Sequence, residues 1–249
     1  MFTETEGIVL KQTKIAAGRR MILLFSKRYG KISAGTSISE GGKNRAALAL
    51  RPFVHGKYQI NKSGDSYHIN GCETLSSHYS IGEDVDKYLC ASYGLEFTNK
   101  VLPEEAAAPR LFLLLAEFLD QMEKRGKKYE TLLVAYQMKA LALLGSSPQL
   151  DSCVICGNRE GLSGFCAGEG GMVCNNCIEA DLNKERLIYA AEFDIVNVIN
   201  FLIQSPLSSF ENLALDARTL KWTKEMLKKY IDCHLGISCL KSEECMKPR

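Results

Sequence analysis

The sequence predicts a mixed α+β protein: a small five-stranded barrel, then a helical domain carrying a four-cysteine insertion. Three observations carry that prediction. Short apolar blocks between turn residues fill the chain to about residue 79, and helical spacing replaces them afterwards. Two Cys-x-x-Cys pairs then interrupt the helical part.

The strands come first. Ile8 and Leu10 alternate with Val9 and Lys11, and Met21 to Phe25 is an apolar run bounded by paired bases. Tyr29-Gly30 makes a turn into Lys31-Ile32-Ser33-Ala34, and a Gly41–Gly42 loop follows. Phe53 to Ile60 and Tyr67 to Leu75 are separated by Lys62-Ser63-Gly64-Asp65, a strong hairpin signal. Five short strands in under 80 residues suit a closed barrel, because closure removes exposed edges. An OB-like barrel leads, with an SH3-like barrel as its rival.

Beyond residue 80 the period becomes helical. Gly82 to Tyr93 reads as a helix, and Leu111, Leu114, Leu115, Phe118, Leu119 and Met122 stripe one face of the next. Pro103 and Pro109 fall before or at its start. Glu130 to Leu144 reads as a third helix, stopped by Gly145-Ser146-Ser147-Pro148. Glu192 to Leu202 and Asp216 to Leu235 give two more. The expected domains are residues 1–79, the barrel, and 80–249, the helical part with its insert at 150–180.

Composition narrows the function classes. With 46% apolar and 24% charged residues, the chain is neither disordered nor collagenous. Its longest apolar stretch, LFLLLA before Glu117, is far short of the roughly 20 residues that span a bilayer. The opening Met-Phe-Thr-Glu-Thr-Glu does not read as a secretory signal, so a cytoplasmic, reducing setting is expected. Residues 1–79 hold twelve Lys/Arg and five acids, a net of +7 that leaves −5 for the remainder. A basic front third points to a polyanion surface such as nucleic acid. The plain alternative is a solvated lysine-rich surface.

Cys153, Cys156, Cys174 and Cys177 carry the clearest chemistry. Two residues between sulfurs let one tight turn aim both thiolates at one ion, and two such turns complete a tetrahedron. The intervening stretch holds five glycines between Asn158 and Gly171, so it needs an external staple. One structural Zn²⁺ per chain is the expected cofactor. Cys166 reads as a packing residue, as do Cys72 and Cys90, while Cys233, Cys239 and Cys245 lack a metal spacing. A four-thiolate site is closed to substrate, which argues for structure over catalysis. The histidines fit no hydrolase or metalloprotease signature, and Gly42-Lys43-Asn44 lacks the earlier glycine and the Ser/Thr of a phosphate loop. No enzyme is expected.

In their order these features resemble one family. The chain opens with Glu6-Gly7-Ile8-Val9-Leu10-Lys11, continues through Leu24-Phe25-Ser26 to Tyr29-Gly30-Lys31-Ile32-Ser33-Ala34, and reaches the paired cysteines in a helical body. That order and size resemble the RecO family of bacterial recombination-repair mediators. The resemblance implies an OB fold that binds single- and double-stranded DNA and anneals complementary strands. It also implies partnership with RecR, contact with the C-terminal tail of single-strand-binding protein, and help in loading RecA. The sequence departs from the family's pattern at Ala16-Ala17-Gly18-Arg19-Arg20, which is basic, and at Gly35 to Gly42, where Glu40 is the only charge.

OB barrels bind single strands through a basic groove and stacking aromatics. Candidate DNA-contacting residues are Lys11, Lys14, Arg19, Arg20, Lys27, Arg28, Lys31, Lys43, Arg45 and Arg51. Tyr29 is the stacking candidate, with Phe25 and Phe53 read as core. For the acidic, apolar-ended partner tail the candidates are Arg218, Lys221, Lys224 and Lys228 on the last helix. A zinc-containing scaffold for RNA or transcription is the alternative function.

Overall fold

A computed structural model describes residues 2–15, 19–38, 45–181, 186–191, 194–211 and 213–245. The chain folds as two compact units, one of residues 1–129 with 241–249, the other of residues 130–240.

The first unit is built on strands β1 (Phe2–Lys14), β2 (Arg20–Ser26), β3 (Gly30–Thr36), β4 (His55–Ser63) and β5 (Ser66–Ser76). They close into a barrel in the order β1-β2-β3-β5-β4. All neighbours are antiparallel except β3 and β5, which run parallel with Ala34 opposite Tyr67. This is the OB topology expected from the sequence. Inward positions fall on alternate residues: Ile22 and Leu24, Ile32 and Ala34, Tyr58 and Ile60, Tyr67 and Ile69 form the core. A short helix, α1 (Arg45–Leu48), stands between β3 and β4, and the Tyr58 hydroxyl donates to the carbonyl of Ala49 just past it at 2.7 Å.

The same unit contains helices α2 (Val85–Val101) and α3 (Pro109–Lys124). Asp84 caps α2 by accepting from the Lys87 N–H at 2.9 Å. The buried stripe of α3 contains every apolar position expected from its periodicity, with Phe112 added. Phe112 meets Phe25 and His55 edge-on at 5.4 and 5.6 Å, and Tyr88 meets Phe53 at 5.4 Å. One outer wall of the barrel is therefore packed on helices. α2 and α3 accordingly belong to the barrel's unit, whereas the sequence reading ends the first domain at residue 79. Phe53, expected in a strand, instead turns the chain at φ +73° before β4.

The second unit holds α4 (Tyr129–Leu143) from residue 130 onward and a three-stranded sheet. Its strands are β6 (Leu162–Cys166), β7 (Gly171–Cys174) and β8 (Ile188–Ala190), in the order β7-β6-β8. The helices α5 (Asn175–Glu179), α6 (Ile195–Gln204) and α7 (Ala217–Leu235) complete it. Asp216 caps α7, accepting from the N–H groups of Arg218 and Thr219. α8 (Lys241–Cys245) returns to the first unit, where the Glu96 carboxylate of α2 accepts from the N–H groups of Lys241 and Ser242 at 3.0 and 2.9 Å. Among the described residues no helix is long and apolar enough to cross a membrane.

Candidate metal centre and nucleic-acid face

Two tight turns bring the four expected cysteines together. The Cys153 N–H donates to the Asn158 carbonyl at 2.7 Å, and the Gly157 N–H donates back to the Cys153 carbonyl at 2.8 Å. Gly157 takes the left-handed conformation, φ +78°, that closes this turn. The second pair straddles the end of β7 and the first turn of α5, and the Asn175 N–H donates to the Gly161 carbonyl. Sγ atoms of Cys153, Cys156, Cys174 and Cys177 all lie within 4.8 Å of one another, with Cys156 and Cys174 at 3.6 Å. An ion with metal–sulfur bonds of about 2.3 Å spaces tetrahedral sulfurs by about 3.8 Å. The cluster could hold a metal ion.

The charges at the site point the same way. Burial opposes the Cys153 thiolate, but N–H groups of Cys156, Cys174 and Ile155 donate to it and bring its pKa down to about 6. The Cys177 thiol is pushed up to about 12, by its hydrogen bond with Cys156 and by burial. One thiolate is thus stabilised by the main chain while a neighbouring thiol resists ionising beside it. Four thiolates together need a cation, and the soft donor set suits a thiophilic one. Cys166 is buried against Cys153, Val173 and Cys174 as a packing residue.

The sheet beside the cluster is tied to α7. The Trp222 indole donates to the Ala190 carbonyl at 2.9 Å and meets Phe165 and Tyr189 edge-on. On α7 the buried side is Thr219, Thr223, Met226, Leu227, Tyr230 and Ile231. Arg218, Lys221, Lys224 and Lys228 are exposed, Lys221 lying 4.0 Å from Glu225 and Lys224 pairing with Glu130.

On the barrel, the structure sorts the candidate cations by environment. Lys11, Lys14, Arg19, Arg28 and Arg51 are exposed, and Lys27 is paired with Glu6 at 3.5 Å. The register sets Lys14 opposite Arg20 at the end of the β1–β2 hairpin, with Arg19 beside them. Arg28 lies over the Tyr29 ring, 5.4 Å from its centroid. Arg20 is only 3% exposed: it takes the first inward position of β2, and its guanidinium donates to the Ile38 carbonyl. Lys31 is also buried, donating to the Asn99 carbonyl at 2.9 Å and pairing with Glu104 at 3.2 Å. Both are engaged by the fold. Lys43 lies outside the described residues, and Arg45 opens α1.

Lys62 and Tyr67, not singled out from the sequence, flank the β4–β5 turn and hold the carboxylate of Glu105. A base and an aromatic astride a hairpin turn are the signal that could have found them.

A closed OB barrel with exposed cations and a cluster of four thiols define an oligonucleotide-barrel protein with a metal-competent insert. The chain matches the family model described as Recombination protein O N terminal over residues 1–78, and the C-terminal one over 82–244. It belongs to the RecO family. The DNA repair protein RecO of Thermoanaerobacter sp. strain X514 is 31% identical over 234 residues, covering 94% of this chain and 93% of that protein. Its counterpart in Alkaliphilus metalliredigens is 30% identical over 236 residues, 94% of each chain. That of Bacillus pumilus is 28% identical over 246 residues, 99% of this chain and 94% of that one. Membership supports a role in DNA repair.

Proposed function

We propose that this chain is a non-catalytic, cytoplasmic mediator of recombinational repair in bacteria. Its barrel, taken as the functional domain 1–79, binds single- and double-stranded DNA without sequence preference and anneals complementary strands. It acts with RecR and helps load RecA onto DNA coated by single-strand-binding protein. The observation that carries this reading is the OB barrel bearing exposed Lys11, Lys14, Arg19, Arg28 and Arg51 in a chain of the RecO family. Annealing needs the phosphates of two strands screened from each other before bases pair, and exposed cations on the barrel supply that screening.

The test is annealing of complementary strands without ATP, with binding measured across salt concentrations. Four to six phosphate contacts at about −0.7 each give a log–log slope near about −3 to −4 on single strands. Replacing Lys14 and Arg19 together by Ala makes that slope shallower by about 1 to 1.5, and annealing falls in parallel. An unchanged slope removes these residues from the contact. Preference for RNA over DNA would favour an RNA or transcription scaffold instead.

The metal in this reading is zinc, held by Cys153, Cys156, Cys174 and Cys177 as a structural staple of residues 150–180. The exposed bases of α7 take the acidic tail of single-strand-binding protein, steered by charge. The informative substitutions are Lys221→Glu with Lys224→Glu. They weaken binding of the tail peptide several-fold. Equal affinity for parent and variant removes α7 from the interface.

A further inference from the structure

OB barrels take oligonucleotides on the face of strands two and three and on the loops beside it, including the loop between strands four and five. Lys62 and Tyr67 flank that loop. Lys62 Nζ lies 3.0 Å and the Tyr67 hydroxyl 2.9 Å from one and the same oxygen, Oε2 of Glu105. The ammonium also donates to the Tyr67 oxygen at 2.9 Å. Two donors, one of them charged, converging on a single anionic oxygen are the arrangement that a phosphate oxygen receives. Through Lys62 first and then Tyr67, this pair holds the Glu105 carboxyl below the usual carboxylate range.

The surroundings are basic. The Tyr29 and Tyr67 rings are 6.1 Å apart, with Arg28 over the first and Lys62 4.7 Å from the centre of the second. The Tyr67 ring itself is buried in the barrel core and Tyr29 packs against the same core, so the pair offers a phosphate its hydroxyl and ammonium rather than a stacking face.

Glu105 reaches this place in an unusual backbone state. Its φ is +53°, the left-handed region that a residue with a side chain seldom occupies. The surrounding contacts hold it there: its N–H donates to the Lys31 carbonyl at 3.0 Å, and Glu104 pairs with the Lys31 ammonium. The absence of a side chain at Gly30 admits the loop, since a Cβ there would lie 2.1 Å from the Ala106 carbonyl oxygen. Strain of this kind persists only where neighbours over-determine it, and it gathers at clamps and switches.

We propose that Lys62 and Tyr67 form a phosphate-binding pair of the barrel, and that Glu105 occupies it in the free protein as an internal competitor that a DNA strand displaces. The inference rests on the reading of the barrel as a DNA-binding domain. The carboxylate carries the same sign of charge as the phosphate oxygen and satisfies the same two donors, so each strand that binds must lift the loop. Binding is thereby weakened in a way that one side chain controls.

The test uses the full chain and a fluorescent oligo-dT across a salt series. Glu105→Gln removes the charge; Glu105→Gly removes the carboxylate and also suits the left-handed backbone, so the loop keeps its fold. The phosphate contacts of the complex are the same in parent and variants, so the salt slope is expected to hold while both variants bind several-fold tighter, no carboxylate having to be displaced. Adding Lys62→Ala to Glu105→Gly is expected to erase the gain. Parental affinity in both Glu105 variants, or a gain that survives Lys62→Ala, would overturn the competitor while leaving the barrel reading intact. No oligo-dT binding by the parent or any variant would overturn both.

Discussion

Arg19 and Arg20 are neighbours in sequence with opposite surroundings, and that contrast separates a charge that binds from a charge that builds. Arg19 is exposed just before β2, while Arg20 is buried and its guanidinium serves the Ile38 carbonyl. Removing a buried donor leaves its acceptor unpaired at about 1–3 kcal/mol, before any lost packing is counted. Arg20→Ala should therefore lower the urea midpoint clearly, and Arg19→Ala should leave it within error while changing the salt dependence of DNA binding. Equal stability of the two variants would contradict the burial argument. Sequence alone does not separate them. A run of two bases says nothing about which one points inward until strand alternation is phased, and the phase here is set by Ile22 and Leu24 further along.

At the scale of elements, what is legible is what is local. The Cys-x-x-Cys turns carry their own geometry, so the four sulfurs meet as the spacing implies. Short apolar blocks between turn residues likewise locate all five barrel strands. α2 runs on past the expected end at Tyr93 because Gly94, which invites a stop, is buried where a Cβ would lie 2.5 Å from the Phe118 ring. The small sheet β7-β6-β8 escapes the pattern, since its strands are short, two of them contain glycine, and they owe their order to the cysteine turns beside them. That dependence has a built-in reporter. Trp222 is the only tryptophan of the chain, and it packs on β6 and β8. Stripping metal with a strong chelator, or Cys174→Ser, should shift tryptophan emission to the red and open residues 150–180 to protease. The circular dichroism of the barrel should persist. Unchanged emission and protection in a metal-free protein would mean that the insert folds without an ion.

For the molecule as a whole, the charge asymmetry read from the sequence falls on a definite body: the +7 segment is the one that closes into the barrel. What no local pattern discloses is that the first unit is assembled from both ends of the chain. α8 packs on α2, clasped by Glu96 across 145 residues of sequence, and pattern reasoning has no access to a partner so remote. The clasp has a consequence for biogenesis. A ribosome making this protein releases the barrel, α2 and α3 long before it has made the helix that completes their unit. Roughly 110 residues intervene. At about 5–20 residues per second they take about 6 to 22 s to synthesise, far longer than a small domain needs to collapse. The nascent barrel thus waits with one side of α2 uncovered until a helix made roughly 110 residues later seals the unit.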